Sequence, residues 1–245
     1  MSMGDDEALK KKQQDAIREQ AYHRGQGIHD AITMPFASRK RGPVSVSFDN
    51  YFFMGDFMKI LTLLGSARKK GNTATVLGWV EEVLNQAGHD IERVTLADKT
   101  IKGCLGCAKC KEDPTAIACV QKDDAQTILQ KMIDVDGVIL SSPAYFWGFT
   151  GPLKTLMDRS WSLVTGYHTP NHASLVEGKK IALLVTGGGQ YENNVEPLFT
   201  AFGRLLSFYK AENGGELFIG RCTIDGSIPE DAKPKAIAMA EKLLS

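Results

Sequence analysis

Four cysteines crowd into one short stretch: Cys104, Cys107 and Cys110 are separated by two residues each, and Cys119 follows after eight more. Intervals this short let one loop wrap thiolates around a [4Fe–4S] cube. The same donors suit tetrahedral zinc, and a thiol loop without metal, structural or redox-active, is the third reading. The last gap is longer than in bacterial ferredoxins, and Val120 stands where their pattern has proline. Cys222 lies far along the chain and reads as an ordinary buried thiol.

A second chemical stretch is Met58–Thr73, MKILTLLGSARKKGNT. Its apolar start has the branching of a fully buried parallel strand, and Gly65 ends it. Two hydroxyls, an amide and three adjacent cations then precede an amphipathic helix. A strand, a small-residue turn and a helix N-terminus aim backbone N–H groups and a dipole's positive end at one spot, which suits a phosphate. Neither G-x-G-x-x-G nor G-x-x-x-x-G-K-[ST] is present, which argues against a dinucleotide fold or a P-loop NTPase. Ser66, Arg68, Asn72 and Thr73, with backbone amides, are the expected phosphate holders.

Two further loops are unusual. PAYFWG, from Pro143 to Gly148, carries three consecutive aromatics, and Thr186 precedes Gly187, Gly188 and Gly189. A flat heterocycle with a phosphate tail would satisfy all three loops, with aromatic side chains about its ring and close glycine backbone donating to ring heteroatoms. FMN is such a ligand. The plainer reading of Tyr145, Phe146 and Trp147 is core or subunit-interface packing.

These loops need elements to hold them. Helical spacing places Val76, Val80, Val83, Leu84 and Ala87 on one face, with Gly88 as a stop. Ile91, Val94 and Leu96 read as a second strand, and Asp123 as the N-cap of a helix buried through Ile128, Leu129, Met132 and Ile133. Gly137–Leu140 is a third strand, and Pro152 opens a helix. Ile181–Val185 is a fourth strand, followed by a helix through Leu198, Phe202 and Leu206. Leu217–Ile219 reads as a fifth strand, and Pro229–Leu244 as a closing helix. Alternation of this kind predicts an α/β, doubly wound sandwich: a five-stranded parallel sheet with helices on both faces. Ligands then bind beyond the carboxyl ends of the strands, where the order reverses.

On GSARKKGNT, the cysteine cluster before Asp123 and Asp124, SPAYFWGFTGPLKTLMDRS and TGGG, residues 58–245 resemble the flavodoxin-like NADPH-dependent FMN reductases, iron–sulfur flavoprotein branch. The resemblance implies the flavodoxin-like strand order 2-1-3-4-5 and that Ser66, Arg68, Asn72 and Thr73 hold the FMN phosphate. It implies that Pro143, Ala144, Tyr145, Phe146, Trp147 and Gly148 line the isoalloxazine and ribityl groups, with Thr186, Gly187 and Gly188 at the pyrimidine edge. Lys154, Asp158 and Arg159 match the helix after the flavin loop, where packing and assembly are the expected roles. The implied reaction is NAD(P)H oxidation: hydride passes to flavin N5, and the electrons then go to a quinone, flavin, metal or nitro or azo acceptor. No side chain is expected to be catalytic, because the flavin carries the chemistry. Homodimers or homotetramers are implied. The alternative is an electron carrier in which FMN and a [4Fe–4S] cluster on Cys104, Cys107, Cys110 and Cys119 relay electrons between partner proteins. Lys69 and Lys70 are candidates for a nucleotide 2′-phosphate, or are solvated or serve FMN; His168 and His172 read as exposed loop residues or as contacts to substrate or a ring edge, and Tyr167 as part of the same loop or a cap from a neighbouring subunit.

The whole chain has 245 residues, 43% hydrophobic, and no net charge. That balance argues against nucleic-acid binding through bulk charge. It carries no apolar run of membrane length and no signal peptide, so a cytoplasmic protein with reduced thiols is expected. Residues 1–56 differ from residues 57–245, the flavodoxin-like FMN-binding domain. They read as an N-terminal extension, either an arm on a neighbouring subunit or a disordered leader, with Met54 or Met58 an alternative start.

Overall fold

The structure is a computed structural model that describes residues 57–224 and 226–245. The N-terminal extension, residues 1–56, lies outside the described residues. From Phe57 onward the chain runs β1 (Lys59–Leu64), α1 (Asn72–Gln86), β2 (Asp90–Thr95), α2 (Asp124–Asp134), β3 (Gly137–Pro143) and α3 (Gly151–Arg159), then β4 (Lys180–Thr186), α4 (Glu196–Tyr209), β5 (Glu212–Ile219) and α5 (Ala232–Leu244). A two-residue antiparallel ribbon pairs Val164–Thr165 with Ala173–Ser174.

The five strands pair in parallel in the order β2-β1-β3-β4-β5, which is the expected 2-1-3-4-5 topology. Alternation along each strand explains the layers. Leu61, Leu63, Val138, Leu140, Leu183 and Val185 face one way, onto α2, α3 and α4. Ile60, Leu64, Ile139, Ala182 and Leu184 face the other, onto α1 and α5. Both faces are covered, so the central strands are apolar throughout. The chain leaves β1 toward β2 and returns to place β3 on its other side, which opens the crevice at the carboxyl ends of β1 and β3.

Local chemistry sets the boundaries. Asp123 caps α2, accepting from the Ala125 amide at 3.2 Å, and Gly88 follows α1 at φ +89°. Several boundaries differ from the sequence reading: β3 runs on to Pro143 instead of ending at Leu140, and α5 opens at Ala232 instead of Pro229. Leu96 is buried in a short 3-10 turn after β2 rather than in the strand. β5 begins at Glu212, not Leu217, because its first half is the polar stretch Glu-Asn-Gly-Gly with a bulge opposite Ile181 and Ala182. Gly214 is required there: a Cβ would stand 2.6 Å from Leu243 Cδ1 on α5.

Candidate functional site

At the end of β1 the chain turns through Gly65, whose amide donates to Ser141 O at 2.7 Å. Ser66 is buried and its Oγ accepts from the Arg68 amide at 3.2 Å. The turn delivers Gly71 as the N-cap of α1 in extended geometry, without a side-chain cap and without a carboxylate in the first turn. Among the described residues no side-chain oxygen caps the first amides of this fifteen-residue helix, which begin beside the hydroxyls of Ser66 and Thr73. That is the donor set a phosphate needs. Lys69 pairs with Asp98 at 2.8 Å on the surface.

Asn72 is committed elsewhere. Its Nδ2 donates to Cys222 O and Ile224 O, each at 2.8 Å, and its Oδ1 accepts from the Gly226 amide at 3.0 Å. The side chain ties the α1 N-terminus to the loop after β5. Thr73 makes a second tie, 2.6 Å between its Oγ1 and that of Thr186.

The loop after β3 is a tight hairpin. Tyr145 and Gly148 exchange both backbone hydrogen bonds at 3.0 Å, and the two residues between them, Phe146 and Trp147, have φ of +47° and +59°. Two positive φ values are the geometry of a type I′ turn, which normally selects Asn and Gly. Here it presents two large rings to solvent: Phe146 is 95% exposed and Trp147 62%. Thr150 locks the hairpin's far end, donating from Oγ1 to Gly65 O at 2.8 Å and from its amide to Ser142 Oγ at 3.1 Å.

In the loop after β4, the Gly187 amide donates to Ile219 O and Gly187 O accepts from the Cys222 amide, both at 3.0 Å. Asn194 Nδ2 donates to Gly188 O at 2.7 Å and to Gln190 O at 2.8 Å, fixing the glycine run. The structure thus brings Thr73 and Thr186 into contact and sets all three expected loops at one end of the sheet. Thr150 and Asn194, which hold those loops in place, are single polar residues without a recognisable sequence signature.

The cysteine loop forms a separate pocket, lined by Cys104, Cys107, Cys110 and Cys119 together with Arg159 and Trp161. Left-handed backbone at Gly106 and Ala108 coils the loop, and the Gly106 amide donates to Cys104 Sγ at 3.5 Å. Burial pushes the Cys110 thiol up; the Lys111 charge opposes this, and nearby Cys119 and Cys104 add to it. Lys111 lies 4.3 Å from the Trp161 ring centre and donates to Val164 O at 2.6 Å, which clamps the loop to the segment after α3. Among the described residues no three His, Cys, Asp or Glu side chains converge on a single metal position.

Arg159 was expected to serve packing. It is the last residue of α3, 2% exposed, with Nη1 donating to Asp123 Oδ2 at 2.7 Å and Nη2 reaching Cys119 Sγ at 3.2 Å. Burial works against charge on both partners. It is outweighed on Asp123 by Arg159 and the Lys102 and Ala125 amides, which hold the carboxyl below its usual range. Arg159 in turn is held above its usual value by Asp123 and Cys119. Forty residues separate Arg159 from Cys119 in sequence, so no local spacing signals the contact. Lys154 and Asp158 pair with each other on the surface at 2.6 Å. Tyr167 packs edge-on against Trp161 and Phe208, and His172 stacks near Phe208.

Residues 58–211 match the family model described as NADPH-dependent FMN reductase. An iron–sulfur flavoprotein of Methanocaldococcus jannaschii is 35% identical over 145 residues, covering 59% of this chain and 72% of that protein. One from Archaeoglobus fulgidus is 39% identical over 103 residues, which span 42% of this chain and 49% of the relative. Among solved structures, an FMN-dependent NADH-azoreductase from Bacillus anthracis superposes with a TM-score of 0.58 at 13% identity, covering 76% of this chain and 100% of that one. The NAD(P)H:quinone oxidoreductase of Methanothermobacter marburgensis gives 0.56 at 14%, with 76% and 97% covered. At such identities the structural likeness establishes the fold alone.

Proposed function

The chain belongs to the NADPH-dependent FMN reductase family, in its iron–sulfur flavoprotein branch, and from that premise we propose that it oxidises NAD(P)H on a bound FMN and passes the electrons to a quinone, flavin, metal or nitro or azo acceptor. The observation that carries this reading is the uncapped N-terminus of α1 beside Ser66 and Thr73, at the same end of the sheet as the exposed aromatic hairpin. The residues present fit the cofactor. Ser66, Arg68, Thr73 and the first amides of α1 would hold the phosphate, while Asn72 ties the start of α1 to the loop after β5. Pro143, Ala144, Tyr145, Phe146, Trp147 and Gly148 would line the isoalloxazine and ribityl groups, and Thr186, Gly187 and Gly188 would meet the pyrimidine edge. When bound, FMN supplies the hydride acceptor and can release electrons singly or in pairs. The chain's own part is to hold the ring, keep one face open for nicotinamide and exclude water from it.

A cluster on Cys104, Cys107, Cys110 and Cys119 is supported by their shared pocket. In a [4Fe–4S] cluster each iron would take one thiolate, and four cysteines supply that donor set. The donor set also fits in charge, since Arg159 and Lys111 stand beside the thiols. With the cluster the protein would relay single electrons to a redox partner. The family resemblance extends to a homodimer or homotetramer.

The test is an absorption spectrum of anaerobically purified protein with flavin, iron and acid-labile sulfide assayed together, then NADPH consumption with a small-molecule acceptor. One FMN per chain with steady NADPH oxidation supports the reductase. Flavin without NADPH oxidation would leave a carrier, and absence of flavin binding overturns the reading. Iron and sulfide near four per chain establish the cluster.

A further inference from the structure

We propose that Arg159 is a positioning residue that sets the reduction potential of the iron–sulfur group in the cysteine pocket while anchoring that pocket to the flavin loop, an inference that rests on the cluster reading above. α3 begins at Gly151, directly after the aromatic hairpin, and ends at Arg159. Nine residues of helix span roughly 13 Å, so one short rigid element carries the flavin loop at its start and touches Cys119 at its end.

The contact is built, not incidental. Arg159 is 2% exposed. Its Nη1 is shared between Asp123 Oδ2 and Lys102 O, at 2.7 and 3.0 Å, and Nη2 reaches Cys119 Sγ at 3.2 Å. Asp123 is itself held by the Lys102 amide at 2.9 Å and by its capping of α2. Two helices and the cysteine loop therefore converge on one guanidinium. Its Nε–H is buried and has no partner among the described residues, while its Nη2 faces the sulfur of Cys119 and the residue lines the pocket.

The consequence for electron transfer has a definite sign. Reduction adds negative charge to the cluster. A cation that donates to a ligand sulfur stabilises the reduced form more than the oxidised one, and hydrogen bonds to sulfur are among the features that set such potentials. Arg159 thus raises the potential, which favours electron flow from reduced flavin into the cluster.

The experiment is an anaerobic redox titration of the whole protein, followed by the electron paramagnetic resonance signal of the reduced cluster. Removing Arg159 alone strands Asp123, so the informative variant is the double variant Asp123→Asn with Arg159→Gln, which removes both charges while keeping a capping side chain. Because losing the Asp123 anion by itself raises the potential, the double variant is read against Asp123→Asn alone: relative to that single variant it is expected to make reduction about tenfold less favourable, about 59 mV for a one-electron couple. The surface control Lys154→Met leaves the potential where it was. A cluster-bearing double variant with the same potential as Asp123→Asn overturns the assignment of Arg159 while leaving the cluster reading intact. Wild-type protein without iron or sulfide overturns both.

Discussion

Thr73 Oγ1 stands 2.6 Å from Thr186 Oγ1, so the first turn of α1 is bonded to the end of β4. β3 separates β1 from β4 in the sheet, and this bond joins the two loops that flank β3's carboxyl end. Both residues are buried. Thr186→Val removes the tie and keeps the shape, which should lower stability by about 1 kcal/mol and weaken FMN severalfold. Thr73→Val removes the tie and also a proposed phosphate donor, so it should cost similar stability but distinctly more FMN affinity. Urea denaturation and fluorescence titration of the apoprotein with FMN measure the two quantities. A Thr73→Val variant that loses stability but keeps full FMN affinity would remove Thr73 from the proposed phosphate site.

Gly65 is fixed by close approach. A Cβ there would stand 2.8 Å from Thr150 Oγ1 and 2.9 Å from Ser141 O, and the second of these is backbone that cannot turn away. Gly65→Ala should cost about 1–3 kcal/mol by overpacking and lower the flavin content of purified protein. Gly78 is the contrast: it lies within α1, and its Cβ would meet only Arg93 Nη2 at 3.6 Å. Gly78→Ala should stabilise by about 0.5–1 kcal/mol. Thermal melts of the two variants should therefore move in opposite directions.

The hairpin at Phe146 and Trp147 holds strain that a stability-only design would avoid. Both residues are left-handed and both expose their rings. Replacing the pair with Asn-Gly, the preferred type I′ sequence, should raise stability by about 1–3 kcal/mol by relieving two unfavourable backbone conformations. The same change should lower NADPH turnover and flavin affinity if the aromatic rings contact the ring system. A variant that is both more stable and fully active would remove the aromatics from the site.

The architecture was legible because each buried strand is a short apolar run and each helix has a periodic face. Asp123 was legible as a cap because the rule is local. The first half of β5 was not, since Glu212, Asn213, Gly214 and Gly215 carry no strand pattern and form their pairing through a bulge. Arg159 carries a packing and assembly role in the sequence only through the family match, and its contact with Cys119 exists only in three dimensions. Asn72 lies at the start of α1, but its three partners come from residues more than a hundred positions away.

The buried pair of Asp123 and Arg159, each side chain 1% exposed, gives the fold an acid limit. Burial opposes the Asp123 charge, but Arg159 and two amides overcome it and hold the carboxyl below its ordinary range. A depressed folded value means that Asp123 contributes its full stabilisation above the unfolded carboxylate pKa, about 3.9, and loses it as pH falls toward the folded value. Asp123→Asn keeps the helix cap but leaves Arg159 charged and unpaired in the interior. It should cost about 3–5 kcal/mol near neutral pH. The variant should also lose this carboxyl's part of the decline below about pH 4, so the stability difference from wild type should narrow on acidification. Urea denaturation across that range measures the gap. A gap that stays constant with pH would show that the Asp123 carboxyl is not selectively stabilised in the folded protein.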